Sequence, residues 1–162
     1  MKRILIFGNS GSGKSTFAKY LSESENLAHL DLDTLAWKPI TPPEREDINV
    51  SFEAIKHFTD NNEEWVIEGC YTDLLTLLET QATEIVFMNL SIEDCIKNAK
   101  ARPWEPHKYE SKQAQDDNLS MLIEWIAQYT ERKDTFSYDA HQTFYDRFNG
   151  AKKMLTSNEV LK

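Results

Sequence analysis

The stretch Gly8-Asn9-Ser10-Gly11-Ser12-Gly13-Lys14-Ser15-Thr16 decides the fold of this chain. It fits the pattern G-x-x-x-x-G-K-[ST], in which a glycine-rich loop turns its backbone N–H groups inward around a phosphate chain. The lysine of the pattern, Lys14 here, reaches the terminal phosphates, and the following hydroxyl, Ser15 here, coordinates Mg²⁺. The stretch therefore predicts a site for a nucleoside triphosphate, ATP, together with Mg²⁺.

The residues on either side of this loop have the patterns of a strand and a helix. Residues 4–7 are a run of four apolar residues, typical of a strand that is buried on both faces. Phe17 and Leu21 follow the loop at a spacing of four, which puts both on one helix face. We therefore expect eight residues of the loop to bind the nucleotide: Gly8, Ser10, Gly11, Ser12, Gly13, Lys14, Ser15 and Thr16.

The composition of the 162-residue chain is that of a globular domain, with 40% hydrophobic residues. Its 27 acidic residues outnumber its 18 basic ones, which gives a formal net charge of −9. This charge repels a phosphate backbone, so we expect no nucleic-acid partner.

No segment approaches the ~20 apolar residues of a membrane span. Cys70 and Cys95 lack a metal-binding spacing and are interpreted as reduced structural residues. We expect a cytoplasmic monomer or homodimer.

Beyond the loop, strand and helix patterns alternate, which predicts an α/β fold with a mainly parallel sheet. We expect one domain over residues 1–162, with a substrate-side helical segment at about 34–62 and a small lid at about 102–117. The strand patterns cover residues 4–7, 28–31, 65–69, 84–90 and 153–156. The helix patterns after the loop cover residues 41–60, 73–80, 91–101, 119–132 and 140–148.

Acidic residues stand at the ends of two of these strands. Asp31 and Asp33 follow the second strand, and Glu68 ends the third. Because ligands of open parallel sheets bind beyond the carboxyl ends of the strands, these acids share an edge with the phosphate loop. We expect Glu68 to hold the Mg²⁺ water shell together with Ser15. One of the two aspartates contacts a magnesium-bound water or a substrate hydroxyl, and the alternative for all three acids is a solvated turn.

Four more residues near this edge are candidates for contact with the substrate. Gly69 allows the backbone to approach it closely, and Tyr71 follows within reach. Trp37 is either a wall of the substrate pocket or a core residue. Thr41-Pro42-Pro43-Glu44 has the pattern of a helix start with a capping box, which puts Arg45 in the first turn. There Arg45 either holds an anionic substrate or forms a surface salt bridge.

Residues 102–117 contain two prolines and no apolar period. A connection of this length in a compact domain is typical of a functional loop, and its place predicts a lid that excludes water during phosphoryl transfer. Arg102 is its leading cation, followed by Lys108 and Lys112. Arg102 and Arg132 are two of only five arginines, and we expect them to surround the transferred phosphoryl group with positive charge. The alternative for each is a solvated surface position.

Near the end of the chain, Ser157 and Asn158 follow the last strand pattern and are candidates to line a purine base. The four histidines have no evident partners in the sequence and are interpreted as structural or solvent-facing. They are His29, His57, His107 and His141.

With these motifs placed, the chain resembles the adenylate-kinase-like P-loop kinases, and more narrowly the branch known as DNA topology modulation proteins. The resemblance rests on residues 6–16, 32–39, 65–71 and 155–160. It implies a three-layer P-loop NTPase fold, with a five-stranded parallel sheet in the order 2-3-1-4-5 and helices on both faces. It also implies Mg-ATP as the phosphoryl donor.

The leading hypothesis is a kinase that moves the γ-phosphoryl group of ATP to a small acceptor, such as a nucleotide, with Lys14, Arg102, Arg132 and Asp33 as catalytic residues. A second hypothesis is a kinase of a hydroxyl metabolite, similar to shikimate or gluconate kinases, in which Asp33 assists the hydroxyl. A third is a nucleotide-binding regulatory NTPase without an acceptor.

Overall fold

The computed structural model describes residues 1–159, so Val160, the last residue of the terminal stretch of resemblance, lies outside it. Five parallel strands form one sheet in the order β2-β3-β1-β4-β5, as the resemblance predicted. The strands are β1 (Arg3–Gly8), β2 (Ala28–Asp31), β3 (Trp65–Glu68), β4 (Glu84–Met88) and β5 (Ala151–Leu155).

Helices cover both faces of this sheet, which gives the predicted three layers. They are α1 (Lys14–Glu25), α2 (Ile48–Asn61), α3 (Thr72–Leu77), α4 (Ile92–Ala101), α5 (Lys112–Ala127) and α6 (Tyr138–Arg147), with a short 3₁₀ turn at Leu32–Thr34. Alternate residues of β1 enter two separate cores because side chains of a strand point to opposite faces. On one face the core joins Leu5 and Phe7 with residues of α2, α3 and α6: Ile55, Leu74, Leu75 and Phe144. On the other face it joins Ile4 and Ile6 with residues of α1, α4 and α5: Phe17, Ala18, Cys95 and Ile126.

Helix α2 begins at Ile48, and the predicted start at the capping box of residues 41–44 was wrong. The side chain of Asp47 accepts a hydrogen bond from the backbone N–H of Asn49 and caps the helix there. The preceding residues instead form an antiparallel bridge between Trp37 and Arg45, in which the N–H of Glu46 donates to the carbonyl of Ala36 at 2.8 Å. Arg45 therefore precedes the helix.

The irregular segment after α4 is shorter than predicted, because α5 begins at Lys112 and not beyond residue 117. The hydroxyl of Ser111 accepts a hydrogen bond from the N–H of Ala114, which is an N-cap. Helix α5 also ends at Ala127, before the expected end near Arg132. The remaining irregular part, residues 102–111, is called the lid segment below.

The other bounds differ from the sequence patterns by a few residues. Strand β5 begins at Ala151 and ends at Leu155, α3 ends at Leu77, and β4 ends at Met88. Within residues 1–159, no helix combines the length and the apolar character that crossing a membrane requires.

Candidate active site

The glycine-rich loop connects the carboxyl end of β1 to the first turn of α1. Gly11 and Gly13 have φ angles of 78° and 89°, a backbone conformation that favours glycine. A Cβ atom at Gly11 would lie 2.3 Å from the backbone carbonyl oxygen of Cys95, so α4 packs directly against the loop. The ammonium of Lys14 donates to the carbonyl of Asn9 at 2.7 Å and therefore lies along the loop.

Three asparagine side chains join the loop to its surroundings. Asn98 of α4 donates to the carbonyl of Gly11 at 2.9 Å, and Asn158 donates to the carbonyl of Ser12 at 3.1 Å. The amide of Asn98 also donates to the side-chain oxygen of Asn158 at 2.9 Å. Asn9 donates to the carbonyl of Ile126 at the end of α5, at 3.2 Å. Two of these bonds satisfy carbonyl groups of the loop, those of Gly11 and Ser12, and so fix its backbone from the side of α4 and of the chain after β5.

The sequence did not indicate Asn98, because a single polar residue in a helix has no distinctive pattern. It did single out Asn158, as a candidate to line a purine base. The structure places Asn158 at the cavity described next, as well as against the loop.

A cavity of about 530 Å³ extends from the loop across the carboxyl edge of the sheet to the lid segment. Ten predicted site residues line it: Ser10, Gly11, Gly13, Lys14, Ser15, Thr16, Asp33, Glu68, Gly69 and Arg102. Six others do not line it: Gly8, Ser12, Trp37, Arg45, Tyr71 and Arg132. Lys108, Glu105, Cys70 and Asn98 line it as well, so one cavity joins the loop, the sheet edge and the lid segment.

Asp33 is the carboxylate that the lid segment reaches. Its backbone N–H donates to Oδ1 of Asp31 at 2.9 Å, which fixes the turn after β2. Its Oδ1 accepts a hydrogen bond from the Tyr71 hydroxyl, and its Oδ2 lies 2.9 Å from the ammonium of Lys108. Burial alone would raise the pKa of Asp33, but the charge of Lys108 and the Tyr71 hydrogen bond outweigh it and lower that pKa.

Asp31 has the opposite electrostatic environment. Burial, followed by the negative charges of Glu68 and Asp33, raises the pKa of Asp31 to about 6. Lys108 is farther from this carboxylate, at 3.9 Å. The two aspartates of the D-x-D pattern therefore differ: the pKa of Asp33 is lowered and that of Asp31 is raised, so Asp31 takes up a proton first as the pH falls.

Glu68 is 2% exposed and lies at the carboxyl end of β3, next to β1. Its Oε2 is 3.0 Å from Nε2 of His29 on the neighbouring strand β2. The interpretation of His29 as a residue without a partner was therefore wrong, because the register of β2 and β3 brings these two side chains together across 39 positions of the chain.

Trp37, Arg45 and Tyr71 form a cluster beside the cavity. The Arg45 guanidinium lies 5.0 Å from the ring centre of Tyr71 and 5.9 Å from that of Trp37. It also pairs with Asp73 at 3.0 Å. Of the two readings of Arg45 that the sequence left open, the salt bridge is the one the structure contains. Trp37 is 38% exposed.

The two arginines predicted to surround the phosphoryl group have different environments. Arg102 lines the cavity and pairs with Glu105 at 3.2 Å. Arg132 lies with its guanidinium carbon 3.6 Å from the ring centre of Trp125 and donates to the carbonyl of that residue. Its Nε and Nη2 atoms are buried and have no hydrogen-bond partner within residues 1–159, and burial lowers the pKa of Arg132.

His141 also has partners that the sequence did not indicate. It is buried, and its ring nitrogens lie 2.6 Å from the Tyr129 hydroxyl and 2.8 Å from the carbonyl of Cys70. Burial lowers the pKa of His141 to about 4. Burial also raises the pKa of the Cys70 thiol to about 12, so this cavity residue is a weak nucleophile at neutral pH.

The residues of the cavity fit a magnesium nucleotide. Lys14, Ser15 and Thr16 line the same cavity as Glu68, and Ser15 is exposed there. Residues 1–159 contain no group of three or more His, Cys, Asp or Glu side chains placed to hold a metal ion alone. A Mg²⁺ ion here would therefore depend on phosphate oxygens for part of its coordination.

A comparison with known protein families identifies the family of this chain. The sequence pattern of the family described as "AAA domain" matches residues 4–118, more than half of the chain. The chain belongs to this family. No curated protein matches the sequence.

Three solved structures of kinases share this fold. Shikimate kinase from Aquifex aeolicus is 20% identical, with a TM-score of 0.53 over 98% of this chain and 90% of that one. Shikimate kinase from Bacteroides thetaiotaomicron is 14% identical, with a TM-score of 0.53 over 96% and 86%. A sugar kinase from Janibacter sp. is 11% identical, with a TM-score of 0.54 over 96% and 85%. The fold is therefore that of a P-loop kinase.

Proposed function

We propose that the protein is an ATP-dependent phosphotransferase of the adenylate-kinase-like P-loop kinases, closest to the branch of DNA topology modulation proteins, and that it acts on a small acceptor. One observation carries the proposal: a single cavity has the phosphate-binding loop on one wall and an ionised carboxylate, Asp33, on another. The phosphates of the donor and the acceptor can therefore bind next to each other in the same cavity.

The residues of the loop have separate tasks in this proposal. The backbone N–H groups from residue 8 to residue 16 bind the phosphate chain, and Lys14 neutralises the charge of the leaving β-phosphate. Ser15 and Glu68 hold Mg²⁺, which when bound neutralises phosphate charge during transfer. Gly69, beside Glu68, lines the cavity and packs closely against the core, because a Cβ atom there would lie 2.9 Å from the side chain of Leu32.

The arginines and the lid segment act on the transferred group. Arg102 is already at the cavity and supplies positive charge to the phosphoryl oxygens. Arg132 has two buried nitrogens without hydrogen bonds within residues 1–159, Nε and Nη2, of which Nε lies 3.8 Å from Asp134, and in this proposal they bind phosphoryl oxygens. The lid segment excludes water when it closes, which directs the phosphoryl group to the acceptor.

The acceptor we favour carries a hydroxyl group. Asp33 lines the cavity, whereas Arg45, the cation expected to hold a monophosphate, is paired with Asp73 outside the cavity wall. A hydroxyl nucleophile benefits from a nearby carboxylate that accepts its hydrogen bond. A nucleoside monophosphate is the second candidate, because Arg102 and Lys108 also line the cavity.

The test is an acceptor screen with Mg-ATP, in which ADP formation is measured with nucleoside monophosphates and with sugar-like alcohols. We expect ADP formation to depend on one acceptor and to be lost in Lys14→Ala. If only slow hydrolysis occurs with every acceptor, the protein is an NTPase without an acceptor and the kinase proposal is wrong.

Two variants then separate the acceptor classes. With an alcohol as acceptor, Asp33→Asn lowers kcat by about 10²-fold or more, and Arg45→Ala leaves the acceptor KM nearly unchanged. With a monophosphate, Arg45→Ala raises that KM most. Retention of full activity in Asp33→Asn would contradict the role given to this carboxylate.

A further inference from the structure

Tyr71 connects an exposed tryptophan to the carboxylate of the candidate site. It precedes the first residue of α3 and is 2% exposed. Its hydroxyl accepts a hydrogen bond from Nε1 of Trp37 at 2.8 Å and donates to Oδ1 of Asp33. Trp37 and Asp33 lie 34 and 38 positions before Tyr71 in the chain, so only the tertiary fold brings Tyr71 to them.

The direction of these two hydrogen bonds is fixed by chemistry. An indole N–H only donates, so the Tyr71 oxygen must be the acceptor of the bond from Trp37. The single proton of the Tyr71 hydroxyl is then available for Asp33, whose ionised carboxylate only accepts. Trp37 therefore donates to Tyr71, and Tyr71 donates to Asp33. The two hydrogen bonds cannot have the opposite direction while Asp33 is charged.

The ring of Tyr71 has little freedom to move. The Arg45 guanidinium lies 5.0 Å from its centre, and the ring of Phe136 packs edge-on at 5.4 Å. On a third side a Cβ atom at Gly69 would lie only 3.1 Å from Cδ2 of Tyr71. These contacts fix the position of the Tyr71 hydroxyl. The hydrogen bond from this hydroxyl can therefore orient the carboxylate of Asp33.

We propose that Tyr71 is a positioning residue for the candidate reaction, whose hydroxyl, held by Trp37, orients Asp33 so that Oδ2 is the oxygen presented to the acceptor. The part of this proposal that concerns the contact between Asp33 and the acceptor rests on the proposed function. The other part, the orientation of Asp33 by Tyr71, is independent of the proposed function. Tyr71 itself does not line the cavity, so its effect on substrate passes through Asp33.

The same hydrogen bond bears on the charge of Asp33. Burial raises the pKa of this carboxyl, while the charge of Lys108, the Tyr71 hydroxyl and the charge of Lys14 lower it. The ionisable groups that face Asp33 are Lys14, Asp31, Tyr71, Lys108 and the Cys70 thiol. Removing the Tyr71 hydroxyl takes away one of the stabilising contacts of the ionised form, so the pKa of Asp33 should rise.

The variant that tests this proposal is Tyr71→Phe, which keeps the ring and its contacts with Arg45 and Phe136. The matched control is Tyr138→Phe, which also removes a half-buried hydroxyl hydrogen bond, the one to Gln142 at 3.1 Å, outside the cavity wall. The first readout is the titration of the Asp33 carboxyl carbon by NMR, which needs no acceptor. The second is the split of kcat and KM with the acceptor found by the screen.

We expect the pKa of Asp33 to rise by about one unit in Tyr71→Phe and to stay unchanged in Tyr138→Phe. We expect kcat to fall about tenfold or more, while the KM for ATP stays unchanged. An unchanged titration of Asp33 in Tyr71→Phe would overturn the proposal, even if the screen finds no acceptor. A shifted titration with full kcat would overturn the positioning role.

A second variant covers the case in which Tyr71→Phe fails to fold. Trp37→Phe removes the donor that holds the Tyr71 hydroxyl and keeps an aromatic ring beside Arg45, and Trp37 is 38% exposed. It should shift the Asp33 titration in the same direction by a smaller amount. No shift in this variant, with the fold intact, would likewise overturn the proposal.

Discussion

The ammonium of Lys108 lies 2.9 Å from Oδ2 of Asp33 and so joins the lid segment to the carboxyl edge of the sheet. The same ammonium lies 3.5 Å from Glu105, which in turn pairs with Arg102. The two cations of the lid segment that line the cavity are therefore bound to carboxylates in this structure. A substrate that engages Asp33 must compete with Lys108.

Loss of this contact should loosen the lid segment. A partly exposed ion pair contributes roughly 1 kcal/mol, so Lys108→Met should raise chymotrypsin cleavage after Trp104 or Tyr109 by about fivefold. The control is Lys112→Met, whose ammonium pairs with Asp116 within α5. Equal cleavage of Lys108→Met and the unchanged protein would show that the ion pair does not hold the lid segment.

Arg45 should act on stability more than on nucleotide binding. Arg45→Met removes the ion pair with Asp73 and the cation–π contact with Tyr71, together about 1–2 kcal/mol. For a domain of this size Tm should fall by roughly 2–8 °C, measured by circular dichroism. Lys56→Met, which removes an exposed pair with Asp60, should leave Tm nearly unchanged. A normal Tm combined with lost acceptor binding would make Arg45 a substrate residue instead.

His141 should make the fold sensitive to acid. Its pKa is about 4 in the folded state, against 6.5 for an unperturbed histidine, because burial disfavours the charged ring. Between these values the unfolded state binds a proton that the folded state does not, so stability falls as pH is lowered through this window. The slope is about 1.4 kcal/mol per pH unit, up to about 3 kcal/mol in total.

The measurement is urea unfolding at pH 7, 6 and 5, for the unchanged protein and for His141→Gln. The variant should lose less stability on acidification. Asp31 works in the opposite direction, because its folded pKa of about 6 exceeds the ordinary 3.8 and lowering the pH through that range favours folding. Both proteins contain Asp31, so the comparison isolates the histidine. Parallel pH profiles would contradict the assignment of a buried neutral ring.

Gly11 should tolerate no side chain. Its φ of 78° and the 2.3 Å approach of a Cβ atom to the Cys95 carbonyl both disfavour alanine. We expect Gly11→Ala to cost about 2 kcal/mol or more, which is a fall in Tm of roughly 4–8 °C. Ser10→Ala, at a neighbouring loop residue whose φ is not positive, is the control. An unchanged Tm in Gly11→Ala would mean that the loop adopts another conformation.

The sheet and the phosphate loop could be predicted from sequence because their signals are local. The apolar run of residues 4–7 and the glycine loop follow each other directly, and Trp65–Glu68 is a short apolar strand with an acidic end. The start of α2 could not be predicted in this way. The capping-box pattern of residues 41–44 competes with the bridge between Trp37 and Arg45, and only tertiary contacts decide between them.

The candidate site was predicted in part for the same reason. Asp33 and Glu68 were found because one follows and the other ends a strand whose carboxyl end lies at the same edge of the sheet as the loop. Their pairing with Lys108 and His29 was not predicted: Lys108 was named only as a lid cation, and the contact with His29 depends on the register of β2 and β3. The hydrogen bonds from Trp37 to Tyr71 and on to Asp33 likewise have no pattern in the sequence.

The most direct test of this account is the binding of Mg-ATP to Lys14→Ala, measured by isothermal titration calorimetry. The control is Lys19→Ala, which changes an exposed lysine of the same helix. We predict that Lys14→Ala weakens binding by about tenfold or more, equivalent to about 1.4 kcal/mol, and that Lys19→Ala binds like the unchanged protein. Equal affinity of all three proteins for ATP would contradict the claim that residues 8–16 bind the phosphates of a nucleotide.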